Sequence, residues 1–181
     1  MKHEGQVLLR LARATLAEAF GGAQVQHPAG EPWLDEKRAV FVTLTKRGEL
    51  RGCIGQLAPT MTLYEAVRDA ARAAAFRDPR FPPVSADELD ALHVEISVLS
   101  PMEPLEVRDE ADAVAKLRPG VDGVVLRAGG RSGVFIPEVW KQLPEPADFL
   151  RHLKRKAGLP MDGWVPGTRL ERFTAQLWEE P

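Results

Sequence analysis

The apolar positions of this chain change spacing several times, and each change marks an element. From Glu4 to Phe20, the residues Val7, Leu8, Leu11, Ala14, Leu16 and Ala19 recur at helical intervals, predicting an amphipathic helix closed by Gly21-Gly22. Gln24 to Lys37, with Pro28, Gly30 and Pro32, reads as an irregular connector pinned to the body by Trp33 and Leu34. Ala39 to Thr45 and Leu50 to Leu57 read as the two arms of a hairpin about Lys46-Arg47-Gly48-Glu49. Thr62 and Glu65 have capping-box spacing and open a helix to about Phe76, whose alanine-rich face allows close packing on a sheet. Asp78 to Val84 holds Pro79, Pro82 and Pro83 and must be a rigid loop. Ser85 with Glu88 caps a short helix to Leu92. His93 to Leu99 then alternates, with Val94, Ile96 and Val98 on one face and His93, Glu95 and Ser97 on the other.

The second half is patterned less regularly. A helix is expected from about Asp109 to Leu117, and a hairpin from Val124 to Ile136 around Ala128-Gly129-Gly130-Arg131-Ser132. A short helix should follow Pro137, another should run from Asp148 to Lys156, and Thr168 to about Trp178 reads as one last strand with Phe173, Ala175 and Leu177 facing in. Helices intermingle with at least two hairpins, so the expected class is α+β, a mainly antiparallel sheet packed with helices. The order of two strands, helix and strand between Ala39 and Leu99 is loosely echoed from Val107 onward. That echo raises an internal duplication and a small second subdomain as further expectations. The domain expectation is one domain over residues 1–181, with the helix and connector at 1–38 and the main body at 39–181.

Composition narrows the class of function. A chain of 181 residues, 44% apolar and 28% charged, is that of a soluble globular protein with ample core. A net charge of −2 gives no global field toward nucleic acid or an acidic membrane surface. No apolar run is long enough to span a bilayer, and a single free thiol suits a reducing cytoplasm, so a cytoplasmic location is expected. Arginine-rich, proline-rich composition fits a GC-rich genome and is compatible with a thermophilic source. One cysteine and four scattered histidines offer no recognised metal-ligand spacing. Gly129-Gly130-Arg131-Ser132-Gly133 lacks the lysine and hydroxyl spacing of a phosphate loop and reads as a hairpin turn. Lys154, Arg155 and Lys156 complement a helix dipole and are no nucleic-acid signature by themselves.

The candidate chemistry lies in Leu50-Arg51-Gly52-Cys53-Ile54-Gly55. Alternation along a strand would place Arg51 and Cys53 on one face, roughly 6.6 Å apart along the backbone. A guanidinium within reach would favour the thiolate by roughly 2 to 4 kcal/mol at an effective dielectric near 20. Gly52 and Gly55 would let a ligand approach the main chain closely. The alternative is a small buried cysteine filling a sheet position. Glu95 could pair with Arg51 or act as an acid or base if its strand neighbours that of Cys53, and His93 is a weaker candidate on the same face; the alternative is an ordinary solvent-facing strand surface. Asp78, Arg80 and Phe81 sit on a stiff loop of the kind that carries binding groups; the alternative is a strand-crossing connection whose Asp78 caps the end of the preceding helix or pairs with Arg80.

The same hexapeptide resembles the hallmark of the AMMECR-type domain family. Further matches follow in order: Ala75-Phe76-Arg77-Asp78-Pro79-Arg80-Phe81, Val94-Glu95-Ile96-Ser97-Val98-Leu99, Gly133-Val134-Phe135-Ile136-Pro137-Glu138-Val139, Lys156-Ala157-Gly158-Leu159, and Trp164. The resemblance spans nearly the whole chain and implies the family's fold. It assigns no reaction and no cofactor. It also implies, as partners in a modification pathway, Memo-like and radical SAM proteins. Relatives often carry a cysteine just before the Lys-Ala-Gly-Leu motif, where this chain has Leu153 and Lys154, which argues against a two-cysteine redox cycle as the common mechanism. Two functions are therefore open: a thiol-dependent enzyme built on Cys53, Arg51 and Glu95, or a non-catalytic module that binds a partner protein or small ligand.

Overall fold

The computed structural model describes residues 2–181. In chain order the elements are α1 (Lys2–Glu18), β1 (Val40–Lys46), β2 (Glu49–Gln56), α2 (Leu63–Phe76), β3 (Leu92–Leu99), β4 (Glu103–Leu105), α3 (Glu110–Lys116), β5 (Gly123–Ala128), β6 (Arg131–Phe135), α4 (Pro146–Lys156), β7 (Arg169–Phe173) and β8 (Ala175–Glu179). Short 3-10 helices cover Pro32–Asp35, Ala86–Ala91 and Pro137–Lys141. The chain falls into two compact units, one made of the residues up to Leu99 with Gln176–Pro181, the other of Ser100–Ala175. Each carries a four-stranded sheet with helices, the α+β arrangement expected.

In the first unit the strand order is β2-β1-β3-β8, with β1 antiparallel to both β2 and β3. The buried positions of β1 (Val40, Val42, Leu44) and β3 (Val94, Ile96, Val98) form one face of the sheet. Leu8, Leu11 and Leu16 of α1 and the alanine-rich face of α2 close over it as one core, and Leu34 of the connector is buried there too. The connector and α1 thus belong to this core. Thr62 and Glu65 form the reciprocal capping box that starts α2.

In the second unit the order is β4-β7-β5-β6, all pairs antiparallel. Its core gathers Leu126, Leu170, Phe149, Leu150 and Leu153 around Trp140, whose ring stacks on Phe149 at 3.8 Å between centroids. Trp140 donates its indole N–H to the Asp122 carbonyl at 2.7 Å, satisfying its one polar atom.

Two expectations need correction. The last strand is not continuous: it breaks at Thr174 into β7 and β8, which lie in different sheets. Thr174 and Ser100 are tied at this point, the Ser100 N–H donating to the Thr174 carbonyl at 2.8 Å and the Thr174 N–H to the Ser100 hydroxyl at 2.9 Å. Beyond the break Leu177 is exposed, and Trp178 packs on the core instead, over Gly5, where any Cβ would overlap its ring. The second correction is β4, a strand unexpected around Pro104; three residues at a sheet edge are where proline is tolerated.

Candidate functional site

Cys53 lies in β2, at the edge of the first sheet, opposite Thr43 of β1. Its neighbour Gly52 faces α2 so closely that a Cβ would overlap the Ala74 carbonyl. By strand alternation Cys53 points to the other face, where it is half-buried. The Thr43 hydroxyl reaches the Cys53 sulfur at 3.3 Å. Thr43 is also opposite Glu95 of β3, so Cys53, Thr43 and Glu95 form one row across three strands. The condition set for Glu95 to pair with Arg51 or act as an acid or base, that its strand neighbour that of Cys53, is not met. With strands about 4.8 Å apart, β1 holds the two residues' backbones almost 10 Å from each other.

The expected pairing of Arg51 with Cys53 or Glu95 is also replaced. Leu44 pairs with Gly52 while Thr45 pairs with Leu50, which leaves Arg51 as the extra residue of a β-bulge. A bulge interrupts alternation and re-aims the side chain. The guanidinium grips Glu88 as a fork, Nε to Oε1 at 3.1 Å and Nη2 to Oε2 at 2.9 Å, and donates to the Pro82 and Pro83 carbonyls at 2.8 and 3.3 Å. Lys46 adds a 2.8 Å bond to Glu88, whose carboxyl is held well below the usual carboxylate range, first by Arg51 and then by Lys46. The Ser85 N–H and hydroxyl also donate to Glu88, at 3.1 and 3.2 Å. Arg51 therefore fastens the proline loop and the following 3-10 helix to β2.

The loop residues do more at the thiol than the sequence suggests. Asp78 is buried, and its Oδ2 accepts the Cys53 N–H at 2.9 Å. Arg80 donates to both Asp78 oxygens, Nε to Oδ1 at 2.9 Å and Nη2 to Oδ2 at 2.7 Å, and its Nη2 reaches the Cys53 carbonyl at 3.3 Å. One ion pair thus satisfies both outward main-chain groups of Cys53 on an edge strand that has no ladder partner there. The Arg80 hydrogen bonds, opposed by burial and supported by the Cys53 N–H, hold the Asp78 carboxyl far below its ordinary value. Arg80 is raised in turn, mainly by Asp78 and in smallest part by the charge of Cys53. The guanidinium beside Cys53 is consequently that of Arg80, whose side chain is 53% exposed. Phe81 lies beneath it, with the guanidinium carbon 5.5 Å from the ring centroid.

The close approach expected at Gly52 and Gly55 is made by the chain itself. Gly52 admits the Ala74 carbonyl, and Gly55 admits the Val40 carbonyl and the Phe41 side chain. His93 is opposite Thr45, one row removed from Cys53 on the same face. Thr43, Glu88 and the backbone role of Asp78 are the parts sequence reasoning missed. The hairpin register gave no signal for Thr43 either: counted back from the turn it would set Thr43 opposite Gly52, and the bulge at Arg51 moves it to Cys53. At the position where relatives often have a second cysteine, Leu153 and Lys154 are both buried, and Lys154 bonds Glu110 at 2.6 Å and the Gly163 carbonyl at 2.9 Å. No group of three or more His, Cys, Asp or Glu suited to a metal occurs among the described residues. No described helix is long and apolar enough to cross a membrane.

Comparison with known proteins agrees with this architecture. The sequence model of the AMMECR1 family matches residues 9–178. A protein of Methanothermobacter thermautotrophicus is 43% identical over 99% of this chain and 95% of its own length. One from Thermococcus gammatolerans is 43% identical over 97% of this chain and 90% of its own. The crystal structure of a Pyrococcus horikoshii protein, described as uncharacterized, superposes with a TM-score of 0.84 at 39% identity, covering 97% of this chain and 91% of that one.

Proposed function

The chain belongs to the AMMECR1 family, and from that premise we propose that it is a recognition protein whose contact surface is centred on Cys53, Thr43 and Glu95, with Arg80 at the rim. The observation that carries this reading is the double anchoring of the Cys53 main chain by Asp78 and Arg80. A strand fixed on both sides presents its side chain at little further entropic cost, which is what preorganised binding requires. The thiol lacks the Arg51 partner that a nucleophilic enzyme of the expected kind would use, because that guanidinium is engaged by Glu88. Recognition should use the face of the sheet and not the edge, since the Asp78–Arg80 pair already occupies the edge at Cys53. The family resemblance makes Memo-like and radical SAM proteins of the same cytoplasm the partners to test first.

One observation favours thiol chemistry as a second reading: the exposed Arg80 guanidinium reaches the Cys53 carbonyl and so lies beside the thiol's own residue. The two readings separate by following alkylation of the sole thiol by iodoacetamide against pH, in the wild type, Arg51→Ala and Arg80→Gln. Under the recognition reading the midpoint of the rate is the same in the wild type and in both variants. A midpoint below about 7.5 that rises in Arg80→Gln would replace recognition with an activated thiolate, with Arg80 as its cation. Pull-down of a candidate partner before and after alkylation then tests the surface itself, and the recognition reading requires that modified Cys53 abolish capture.

A further inference from the structure

The second unit contains a cluster of arginines that the family reading does not use. Arg127 of β5 and Arg169 of β7 are directly opposite each other in the ladder. Like charges so placed destabilise a sheet, so the pair is a cost to the fold. Arg131, at the start of β6, stands on the same hairpin end. These three arginines line a hollow of about 390 Å³ with Ser132, Gly129 and Gly167, and no carboxylate lines it. Arg127 and Arg169 also wall a second hollow of about 450 Å³, toward Thr168 and β4.

The positive charge is only partly met from within. Arg127 bonds Glu171 at 3.1 Å, and Arg131 donates to the Gly158 carbonyl. The Arg169 side chain has no hydrogen-bond or ion-pair partner among the described residues. Three guanidinium groups therefore share one carboxylate. The turn between β5 and β6 is Gly129-Gly130, both with positive φ (56° and 76°), and a Cβ at either would meet nothing within 4 Å. The main chain is bare where it borders the hollow, so its amides are sterically accessible as further donors.

We propose that this hollow binds the phosphate or diphosphate group of a small molecule. Guanidinium forks match phosphate oxygens, and a bound dianion would convert the Arg127–Arg169 repulsion into a shared attraction. The hollow is lined by no aromatic side chain on which a base could stack, and the chain carries a net charge of −2, so a nucleic-acid strand fits less well.

The test is titration of the intact protein with inorganic pyrophosphate, followed by backbone amide NMR and calorimetry. Binding should shift the amides of Gly129, Gly130 and Ser132, and its affinity should fall steeply with added salt. Arg169→Gln should weaken it about tenfold or more, the value of one charge-assisted contact. The same variant should melt at the wild-type temperature or above it, because it removes a like-charge pair. A lowered melting temperature would make Arg169 a structural residue and overturn the assignment. So would amide shifts elsewhere, or none at millimolar pyrophosphate. A single-stranded RNA oligonucleotide that displaces pyrophosphate from the same amides at lower concentration would assign the hollow to nucleic acid instead. A variant that fails to fold is the limit of a lowered melting temperature and overturns the assignment in the same way.

Discussion

At the scale of single residues, the region around Cys53 is built by contacts of the main chain more than by side-chain chemistry. Gly52 illustrates this: its Cα lies against the Ala74 carbonyl, and neither the sheet nor α2 can yield easily. Gly52→Ala should therefore cost about 3 kcal/mol, the upper range for overpacking, read as a fall in denaturant midpoint at unchanged slope. Asp78 is a second such residue. Asp78→Asn keeps the shape but removes a charge that Arg80 and the Cys53 N–H both use, so a loss of about 2 kcal/mol is expected in the same measurement. Arg51→Ala should also destabilise, because it leaves the shielded Glu88 carboxylate with Lys46 as its one remaining cation among the described residues, and it should leave the pH midpoint of Cys53 alkylation where it was. The importance of Arg51, Asp78 and Arg80 was legible in the sequence, and so was the pairing of Asp78 with Arg80, but the contacts of Arg51 with Glu88 and of Asp78 with the Cys53 N–H were not. A bulge is a matter of two strands' register, and nothing in Leu-Arg-Gly-Cys states that Arg51 falls out of alternation.

At the scale of elements, legibility followed the strength of local signals. Helix α2 was readable to within a residue because its start is written in Thr62 and Glu65 and its buried face repeats with helical period. Thr62→Ala should accordingly cost about 1 kcal/mol, and hydrogen exchange should show the loss at the first turn of α2 more than at its end. The β1–β2 and β5–β6 hairpins were equally plain, the first closing on Arg47-Gly48 and the second on Gly129-Gly130, all with positive φ. The run from Thr168 to Trp178 misled because its apolar alternation continues through Thr174 while the backbone changes sheet. What decides the break is a pair of hydrogen bonds to Ser100, seventy-four residues away in sequence, and no local pattern encodes it. Strand β4 was hidden for the opposite reason: an edge position excuses a proline that a central strand would reject.

At the scale of the whole chain, the two units repeat one topology. Each sheet places the second hairpin arm at its edge, then the first arm, then the strand that follows the helix, then a fourth strand: β2-β1-β3-β8 and β6-β5-β7-β4. The match extends to detail. Leu44 opposes Gly52 and Leu126 opposes Gly133, and in each unit the glycine lies against a helix, α2 at Ala74 and α4 at Leu153 and Ala157. The loose echo in the sequence is therefore real as topology, although the side chains of the two units differ enough to hide it. In this alignment the row of Thr43, Cys53 and Glu95 corresponds to Val125, Val134 and Glu171, so the thiol row belongs to the first unit alone. Both units also rely on carboxylates held ionised. Asp78 and Glu88 lie well below the ordinary range, and Asp112 is lowered to about 2, chiefly by Lys116 and the Arg108 N–H. A carboxylate depressed in the fold stabilises above its unfolded value of about 4 and loses that contribution as pH falls through its folded value. Stability should thus be level from about pH 7 to 5 and fall continuously below that, toward and past pH 2. Denaturant titrations at successive pH values check the curve. Combining Asp78→Asn with Glu88→Gln should lower the neutral plateau and flatten the acid limb. If the limb kept its wild-type steepness, the Cys53 clamp and the Arg51 fork would not be where the fold's acid sensitivity resides.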